Sequence, residues 1–471
     1  MGARRPQGRP ARLTPVFPPL AFAVEIGQKR GRQSREVDPL TTPTTETVTI
    51  TDIAHKGDGV AVYETEAGEK RLFVGGALPG ETVRVSISGE GVNERGRIEE
   101  ILHASPDRVE PACPVYDRCG GCSLQHWDQH AYLAWKRHQI LEAFLDRGIE
   151  AEVAECIATG PASRRRAVIA VQRRTGAPVA GFRERLSHTV VEADGCLVVG
   201  PRIRASLPKL VRLSHLLTFG AKGAIFTVID SETGLDVSVG EAELPPERRQ
   251  QAIALALDLD LARFSIGREI VVEARPPVVR FGTVAVMPPP GAFLQAVGSA
   301  EAAMARLVEA AVGAALARRP KKAKGPARVA DLFAGCGTFA LRLAHHAQVH
   351  AVESDKPALD ALSHAARHTQ GLKTVSVEVR DLYRRPLMAK ELAGFDAVVF
   401  DPPRDGAAPQ VKELAKSGVP VIVAVSCNPA TLARDARYLV DAGWTMGVVT
   451  PIDQFLWTHH VEAVTVFTKA G

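Results

Sequence analysis

Beyond Ala327, short apolar runs alternate with stretches in which apolar positions recur every three or four residues. The runs at 328–333, 349–352, 375–379, 397–400 and 419–425 have little polar alternation, as expected of strands buried on both faces. With helical segments between them, they predict βαβ units and a parallel sheet covered on both sides. Two further runs, 445–449 and 461–467, predict a terminal hairpin that adds an antiparallel strand at one sheet edge. Near the other end, runs at Val48 and Ile50, then 60–63, 72–74, 82–87 and 96–102, are separated by glycine turns such as Lys56-Gly57-Asp58-Gly59 and Gly75-Gly76. Short strands with a turn roughly every ten to fifteen residues predict a small closed barrel, either a generic β-module or an oligonucleotide-binding-like one.

Between these regions the pattern is mixed: a cysteine-rich knot, a helical stretch at 130–148, then an α+β region ending at Pro288-Pro289-Pro290-Gly291. The expected organisation is therefore multidomain. Residues 1–44 read as a basic flexible tail, 45–102 as the barrel and 103–290 as a central α+β domain with the cysteine site. Residues 291–471 read as a C-terminal Rossmann-like α/β catalytic domain. A cluster Arg164-Arg165-Arg166, followed by Arg173-Arg174, Arg183 and Arg185, predicts either a solvated strand face or a track of phosphate contacts.

Composition changes this picture little. A chain of 471 residues, 45% hydrophobic and 24% charged, has room for two or three soluble domains. A net charge of +5 is compatible with a polyanionic partner without requiring one. Seven cysteines, an odd number, fit reduced thiols in the cytoplasm better than a disulfide framework. The apolar stretch at 13–26 follows an arginine-rich start, but nearby prolines and the lack of a small-residue cleavage pattern argue against a leader. No run is long enough to span a membrane, and neither a membrane nor an obligate protein partner is expected.

The chemistry concentrates at the ends of the apolar runs. Asp331-Leu332-Phe333-Ala334-Gly335-Cys336-Gly337-Thr338 reads as a strand-to-helix turn whose glycines let backbone approach a ligand. Glu353 ends the next strand, some twenty residues on, where a carboxylate can take both hydroxyls of a ribose. Asp381 follows the strand after that, suited to an adenine amine. The position of a third glycine, which would cradle a pyrophosphate, is filled by Ala340 or Leu341, favouring S-adenosylmethionine over a dinucleotide.

Two more strand ends carry Asp401-Pro402-Pro403-Arg404 and Ser426-Cys427-Asn428-Pro429. An aromatic residue after Asp-Pro-Pro would suggest methylation of an exocyclic amine; Arg404 stands there instead. Cys427, between a buried strand and a helix start, is the candidate nucleophile, its thiolate favoured by the helix dipole. Carbon 5 of uracil is weakly nucleophilic, and thiolate addition at carbon 6 would make it an enolate carbon. A base must afterwards remove the carbon 5 proton, and Glu462 is the candidate. In the knot, Cys113, Cys119 and Cys122 are spaced for metal binding, with Cys156 or Cys196 as fourth ligand. Zinc and an iron–sulfur cluster both accept four thiolates.

Together these residues resemble the RNA (uracil-5-)-methyltransferases, in the branch with an N-terminal TRAM barrel and a [4Fe-4S] cluster. The likeness spans about residues 45–471, and its most specific stretch is Ser426-Cys427-Asn428-Pro429-Ala430-Thr431-Leu432-Ala433-Arg434-Asp435. It implies Cys427 as nucleophile and Glu462 as base. It implies cofactor contacts at Gln295, Phe333, Thr338, Glu353, Asp381 and Asp401, and cluster ligands Cys113, Cys119, Cys122 and Cys196. The implied reaction is methyl transfer from S-adenosylmethionine to a uridine in RNA, with 23S rRNA favoured and tRNA as the alternative. A non-catalytic RNA-binding or assembly protein is the rival from another class. Two departures touch the pocket: Val297 replaces the asparagine of the family's F-x-Q-x-N, and Leu456 replaces a usual proline.

Overall fold

The computed structural model describes residues 44–65, 68–89, 94–174, 177–185, 187–320 and 322–469. The expected tail lies outside them apart from Thr44. Among the described residues, strands form one closed barrel, two larger sheets and a hairpin. No helix there is long and apolar enough to cross a membrane.

The barrel consists of β1 (Thr44–Ile53), β2 (Gly59–Thr65), β3 (Gly68–Val74), β4 (Thr82–Ser88) and β5 (Arg95–His103), closed in the order β1-β2-β3-β5-β4. Alternate residues, among them Val48, Ile50, Leu72, Val74, Val83 and Val85, fill its interior, as the two-residue period of a strand requires. Gly96 is needed at one crossing, because a Cβ there would lie 2.9 Å from the Val74 side chain.

The central sheet runs β12-β11-β10-β9-β6-β7-β8. Its strands are β6 (Arg166–Gln172), β7 (Val179–Arg183), β8 (Val190–Glu192), β9 (Ala224–Ser231), β10 (Gly234–Gly240), β11 (Leu261–Ile266) and β12 (Glu269–Glu273). Two helices, Pro201–Ser214 and Arg249–Asp258, share a core with it through Leu207, Leu210, Phe226 and Phe264. The helix Gln129–Leu145, which precedes this sheet in the chain, instead packs Ile140 and Phe144 into the core around the later helix Pro429–Asp441. Its first turns join Trp127, Trp135 and Tyr132 to Ile53 and Leu78 of the barrel region.

A short hairpin, β13 (Val279–Phe281) with β14 (Val284–Val286), leads into the helix Gly298–Ala317 and packs with it. The last sheet is ordered β17-β16-β15-β18-β19-β22-β20, with β21 pairing β22. Its parallel strands are β15 (Arg328–Leu332), β16 (Gln348–Glu353), β17 (Val375–Val379), β18 (Ala397–Phe400) and β19 (Val421–Ser426). Val329, Val399 and Val423 face one buried cluster, and Ala330, Val398 and Ile422 the other, so both faces are covered as the unalternating sequence predicts.

At the far end, β22 (Glu462–Lys469) lies antiparallel to β19. The single run expected at 445–449 is split into β20 (Trp444–Met446) and β21 (Thr450–Ile452), both pairing β22. Gly447 sits at the break and donates its N–H to Val466 O. The antiparallel addition is therefore not a single edge strand: β22 is interior and β20 is the edge.

Candidate active site

The turn after β15 is built to expose backbone. Phe333 takes φ +61°, and Gly335 and Gly337 take +52° and +96°. A non-glycine residue there is strained, and the Phe333 ring lies 5.8 Å from that of Tyr383. A Cβ on Gly337 would come within 2.8 Å of Leu362. Beneath the turn, fully buried Asp331 accepts the Ala340 N–H at 2.8 Å, and burial pushes its carboxyl up to about 8. The sequence placed Asp331 in the turn without marking this supporting role. Thr338 is half-buried on the same turn.

Glu353 closes β16 and turns back toward that loop. One oxygen accepts the Gly335 N–H at 3.2 Å; the other accepts Ser354 N, Ser354 Oγ and Asp355 N at 2.6, 2.9 and 2.9 Å. Asp381 accepts the N–H groups of Tyr383 and Arg384 at 2.9 and 3.2 Å, which fixes the segment carrying Tyr383 beside Phe333. Three neighbouring strand ends thus bring Phe333, Thr338, Glu353 and Asp381 to one crevice at the carboxyl edge of the sheet, where open α/β sheets bind ligands.

The next three strand positions carry the candidate chemistry. Asp401 follows β18 and accepts a hydrogen bond from Gln295 Nε2 at 3.0 Å. Gln295 is itself buried, and its backbone carbonyl accepts from the Arg165 side chain at 3.3 Å. Cys427 follows β19, and Asn428 caps the helix beyond by accepting the Ala430 N–H at 3.1 Å. The register of β19 with β22 ends at Ser426 paired with Ala463, next in sequence to Cys427 and Glu462, and the Glu462 charge acts on the Cys427 thiol. Cys427 also lines an open cleft of about 620 Å³, whose walls include Arg404 and His460 together with Ile53, His55 and Lys56 of the barrel.

Electrostatics across this group are mutual. Burial, then the neighbouring Asp401 charge, push Glu462 up to about 8, and burial pushes Asp401 up to about 7. Burial first, then Glu462 and Asp401, push the Cys427 thiol up to about 12 against the opposing pull of Arg404. Burial and the two carboxylates thus oppose the thiolate that the helix dipole favours. Burial also lowers His459 to about 4 and His460 to about 3. Neutral His460 accepts from Arg404 Nη2 at 3.0 Å through its Nε2, and so helps to aim the guanidinium at the cleft.

The segment from Asp453 to Glu462 is held from outside the sheet. Lys136, fully buried on the helix Gln129–Leu145, pairs with Asp453 and donates to His460 O at 2.6 Å. Tyr132 Oη donates to Asp453 at 3.0 Å. From the cysteine knot, the N–H groups of Ser123 and Leu124 both donate to Trp457 O, at 2.8 and 3.0 Å, where Trp457 takes φ +57°. None of these ties was visible in the sequence, because each joins residues some three hundred positions apart.

The arginine cluster is divided between half-buried side chains, Arg164, Arg165, Arg166 and Arg183, and exposed ones, Arg173, Arg174 and Arg185. Arg165 and Arg166 donate to the carbonyls of Gln295 and Ala292, at 3.3 and 2.9 Å. Arg173 donates to Leu217 O at 2.8 Å and Arg185 to Cys122 O at 2.8 Å. Arg164 stacks on Phe455 at 5.7 Å, and burial lowers its pKa. Arg165, Arg166, Arg173 and Arg185 thus satisfy backbone carbonyls.

Cys113, Cys119, Cys122 and Cys196 line one cavity of about 80 Å³ together with Gln125 and Arg164. Cys156 lies elsewhere, beside Lys136 and Asp453. Burial pushes the Cys122 thiol up to about 12 and raises Cys119, with the other thiols adding to both shifts. Among the described residues, no group of three or more His, Cys, Asp or Glu side chains is drawn together closely enough to hold a metal ion.

The tRNA (Uracil-5-)-methyltransferase family model matches residues 319–470. Over 431 residues, 91% of this chain and 99% of the other, the sequence is 46% identical to an uncharacterized RNA methyltransferase of Brucella suis. It is 34% identical to the 23S rRNA (uracil(1939)-C(5))-methyltransferase RlmD of Chromohalobacter salexigens over 475 residues, 96% of this chain and 94% of that one. The solved tRNA (uracil-54, C5)-methyltransferase of Pyrococcus abyssi, in complex with S-adenosyl-L-homocysteine, has the same fold. It matches with a TM-score of 0.67 at 23% identity, covering 90% of this chain and 99% of that one. The chain therefore belongs to the RNA (uracil-5-)-methyltransferases, a family of S-adenosylmethionine-dependent enzymes.

Proposed function

We propose that this enzyme methylates carbon 5 of a uridine in 23S rRNA, with Cys427 as nucleophile and Glu462 as base. The observation that carries the reading is the strand register that ends with Ser426 paired to Ala463, next to Cys427, which lines an open cleft, and to Glu462, whose charge acts on the Cys427 thiol. The Cys427 thiolate adds to carbon 6 of the uracil, and the electron pair moves to carbon 5 as an enolate. When bound, S-adenosylmethionine would supply the electrophilic methyl group that carbon 5 takes, leaving as S-adenosylhomocysteine, and Gln295, Glu353 and Asp381 are among the residues proposed to hold it. Glu462 then takes the carbon 5 proton; the carbon 5–carbon 6 double bond re-forms, and the carbon–sulfur bond breaks to release Cys427 as thiolate. Gln295, Phe333, Thr338, Glu353, Asp381 and Asp401 are the proposed cofactor contacts.

Both faces of the target ring must be reached, so the uridine leaves its stack. His55 and Lys56 on the barrel rim and Arg404 across the cleft are suited to the flanking RNA. Choosing 23S rRNA over tRNA rests on the 34% identical relative of that name, aligned over nearly the whole chain. The four cysteines around one cavity suit a [4Fe-4S] cluster better than zinc. A single tetrahedral ion would draw four sulfurs to about 2.3 Å from itself, whereas a cluster holds its thiolates farther apart. The cluster would be structural, since nothing in the methyl transfer consumes an electron.

The test is to map 5-methyluridine in ribosomal and transfer RNA of a deletion strain. Loss at one ribosomal position, restored by the intact gene and not by Cys427→Ala, is the expected result. Loss confined to transfer RNA would retain the chemistry and overturn the substrate.

A further inference from the structure

Gln454 stands outside every motif picked out in the sequence, yet its side-chain amide lies between the two carboxylates of the site. Its Nε2 donates to Glu462 Oε1 at 2.9 Å and to Gln295 Oε1 at 2.7 Å. Its own Oε1 accepts the Val297 N–H at 3.4 Å, which fixes which way the amide faces. Gln295 is then oriented in turn. Its oxygen faces Gln454, so its Nε2 faces Asp401 and donates there at 3.0 Å. Both amides are at most 4% exposed, and Glu462 is 3% exposed. The result is a one-way chain of donors, from the Val297 backbone through two amides to both carboxylates.

We infer that Gln454 is a positioning residue for Glu462: it holds Oε1 as an acceptor and leaves Oε2 as the oxygen that takes the carbon 5 proton. Oε2 is fully buried and makes no hydrogen bond within the protein. A carboxylate with one oxygen engaged in this way has a fixed plane, so its free lone pair points in one direction. The same bond stabilises the ionised form of Glu462, opposing the burial and the Asp401 charge that disfavour it. Val297 has a second part in this chain. The asparagine usual at that position is absent, and what remains is a backbone N–H serving Gln454.

The inference rests on the proposed reaction, in which Glu462 acts only after methyl transfer. Losing Gln454 should therefore spare adduct formation and slow adduct breakdown. The charged and titratable groups facing Glu462 are Asp401, Arg404, Lys136 and Cys427, and none of them changes in Gln454→Met. The experiment is single-turnover methylation of a uridine RNA fragment, with denaturing gels to count protein–RNA adduct and product analysis across pH. In Gln454→Met the methylated adduct should accumulate and break down roughly tenfold to a hundredfold more slowly. The rising limb of its breakdown rate against pH should also move to higher pH. Gln454→Ala should act in the same direction, with a smaller loss if water fills the gap and donates to Glu462. Equal slowing of adduct formation and breakdown with an unmoved limb, or wild-type breakdown in both variants, would overturn the positioning role. Failure of the wild-type enzyme to trap 5-fluorouridine RNA through Cys427 would instead sink the covalent reading itself, and this inference with it.

Discussion

The protonated thiol of Cys427 makes a prediction that separates this enzyme from thiol enzymes with a resting thiolate. Burial and the charges of Glu462 and Asp401 lift it from an ordinary 9.0 to about 12. At any pH below both values, that lowers the thiolate population by roughly 10³. The thiolate, not the thiol, is the species that iodoacetamide alkylates. In the ligand-free enzyme, peptide-resolved mass spectrometry should therefore show Cys427 alkylation slower than that of a free thiol by about that factor. Its rate should climb about tenfold per pH unit with no plateau up to about pH 10. Access is not the obstacle, because the residue lines an open cleft.

Two substitutions apportion the shift. Above about pH 8, where Glu462 is ionised, Glu462→Gln removes the largest charge acting on the thiol and should speed alkylation several-fold. Arg404→Gln removes a cation that favours the thiolate and should slow it. Neither should restore an ordinary thiol, since burial is the leading cause. A plateau near neutral pH, or alkylation unmoved by both substitutions, would refute this account of the site. Covalent trapping of 5-fluorouridine RNA should follow the same rising dependence on pH when no cofactor is added.

The paired carboxylates also leave a mark on stability. Glu462 has its folded pKa raised to about 8 from 4.5, so the native state holds a proton that the unfolded state has lost between those values. The sign follows: the raised pKa costs nothing below about pH 4.5, costs progressively more as pH rises, and levels off above about 8. Glu462→Gln should therefore stabilise the protein at pH 8 by on the order of 2 kcal/mol, and the gain should vanish near pH 4 in urea titrations. Lys136→Met strands the buried Asp453 charge, whose Oδ2 already lacks a partner. It should cost about 3–5 kcal/mol in thermal or urea unfolding, with partial recovery in Lys136→Met/Asp453→Asn. Lys56→Ala on the barrel rim should weaken RNA binding at every sequence tested and lower the slope of log affinity against log salt by about one. An unchanged slope would remove Lys56 from the RNA path.

The catalytic sheet was legible because its signals are local. Each βαβ unit announces itself within a few dozen residues, and Glu353 is found by counting from the glycines of the preceding turn. What failed was whatever depends on packing between distant segments. The stretch at 130–148 reads as helical but gives no sign that the partner of Gln129–Leu145 is Pro429–Asp441. The three-residue strands Val279–Phe281 and Val284–Val286 are too short to carry a period. Arg164, Arg165 and Arg166 read as a solvated face or a phosphate track because arginine is usually exposed; here Arg165 and Arg166 serve backbone carbonyls and Arg164 stacks on Phe455. Spacing left Cys156 and Cys196 equally eligible beside the knot; the family resemblance implied Cys196, and the fold brings it to the cavity.

Glu462 shows why the methyltransferase sheet alone does not specify this chemistry. A Rossmann-like sheet places Cys427 and Asp401 at strand ends with no outside help. The proposed base, however, sits where β22 begins, after a loop that the sheet does not brace. That loop is held by Lys136 and Tyr132 from one side and by the backbone of the cysteine knot, through Trp457, from the other. Its inner face is fixed by the amide chain from Val297 to Gln454. The helix and the knot lie outside the α/β sheet, so disturbing either should reach adduct breakdown, the step proposed for Glu462, before it reaches cofactor binding through the proposed contacts Glu353 and Asp381. The accessory segments are thus tied to one chemical step, and loss of the knot should mimic loss of the base rather than loss of the fold.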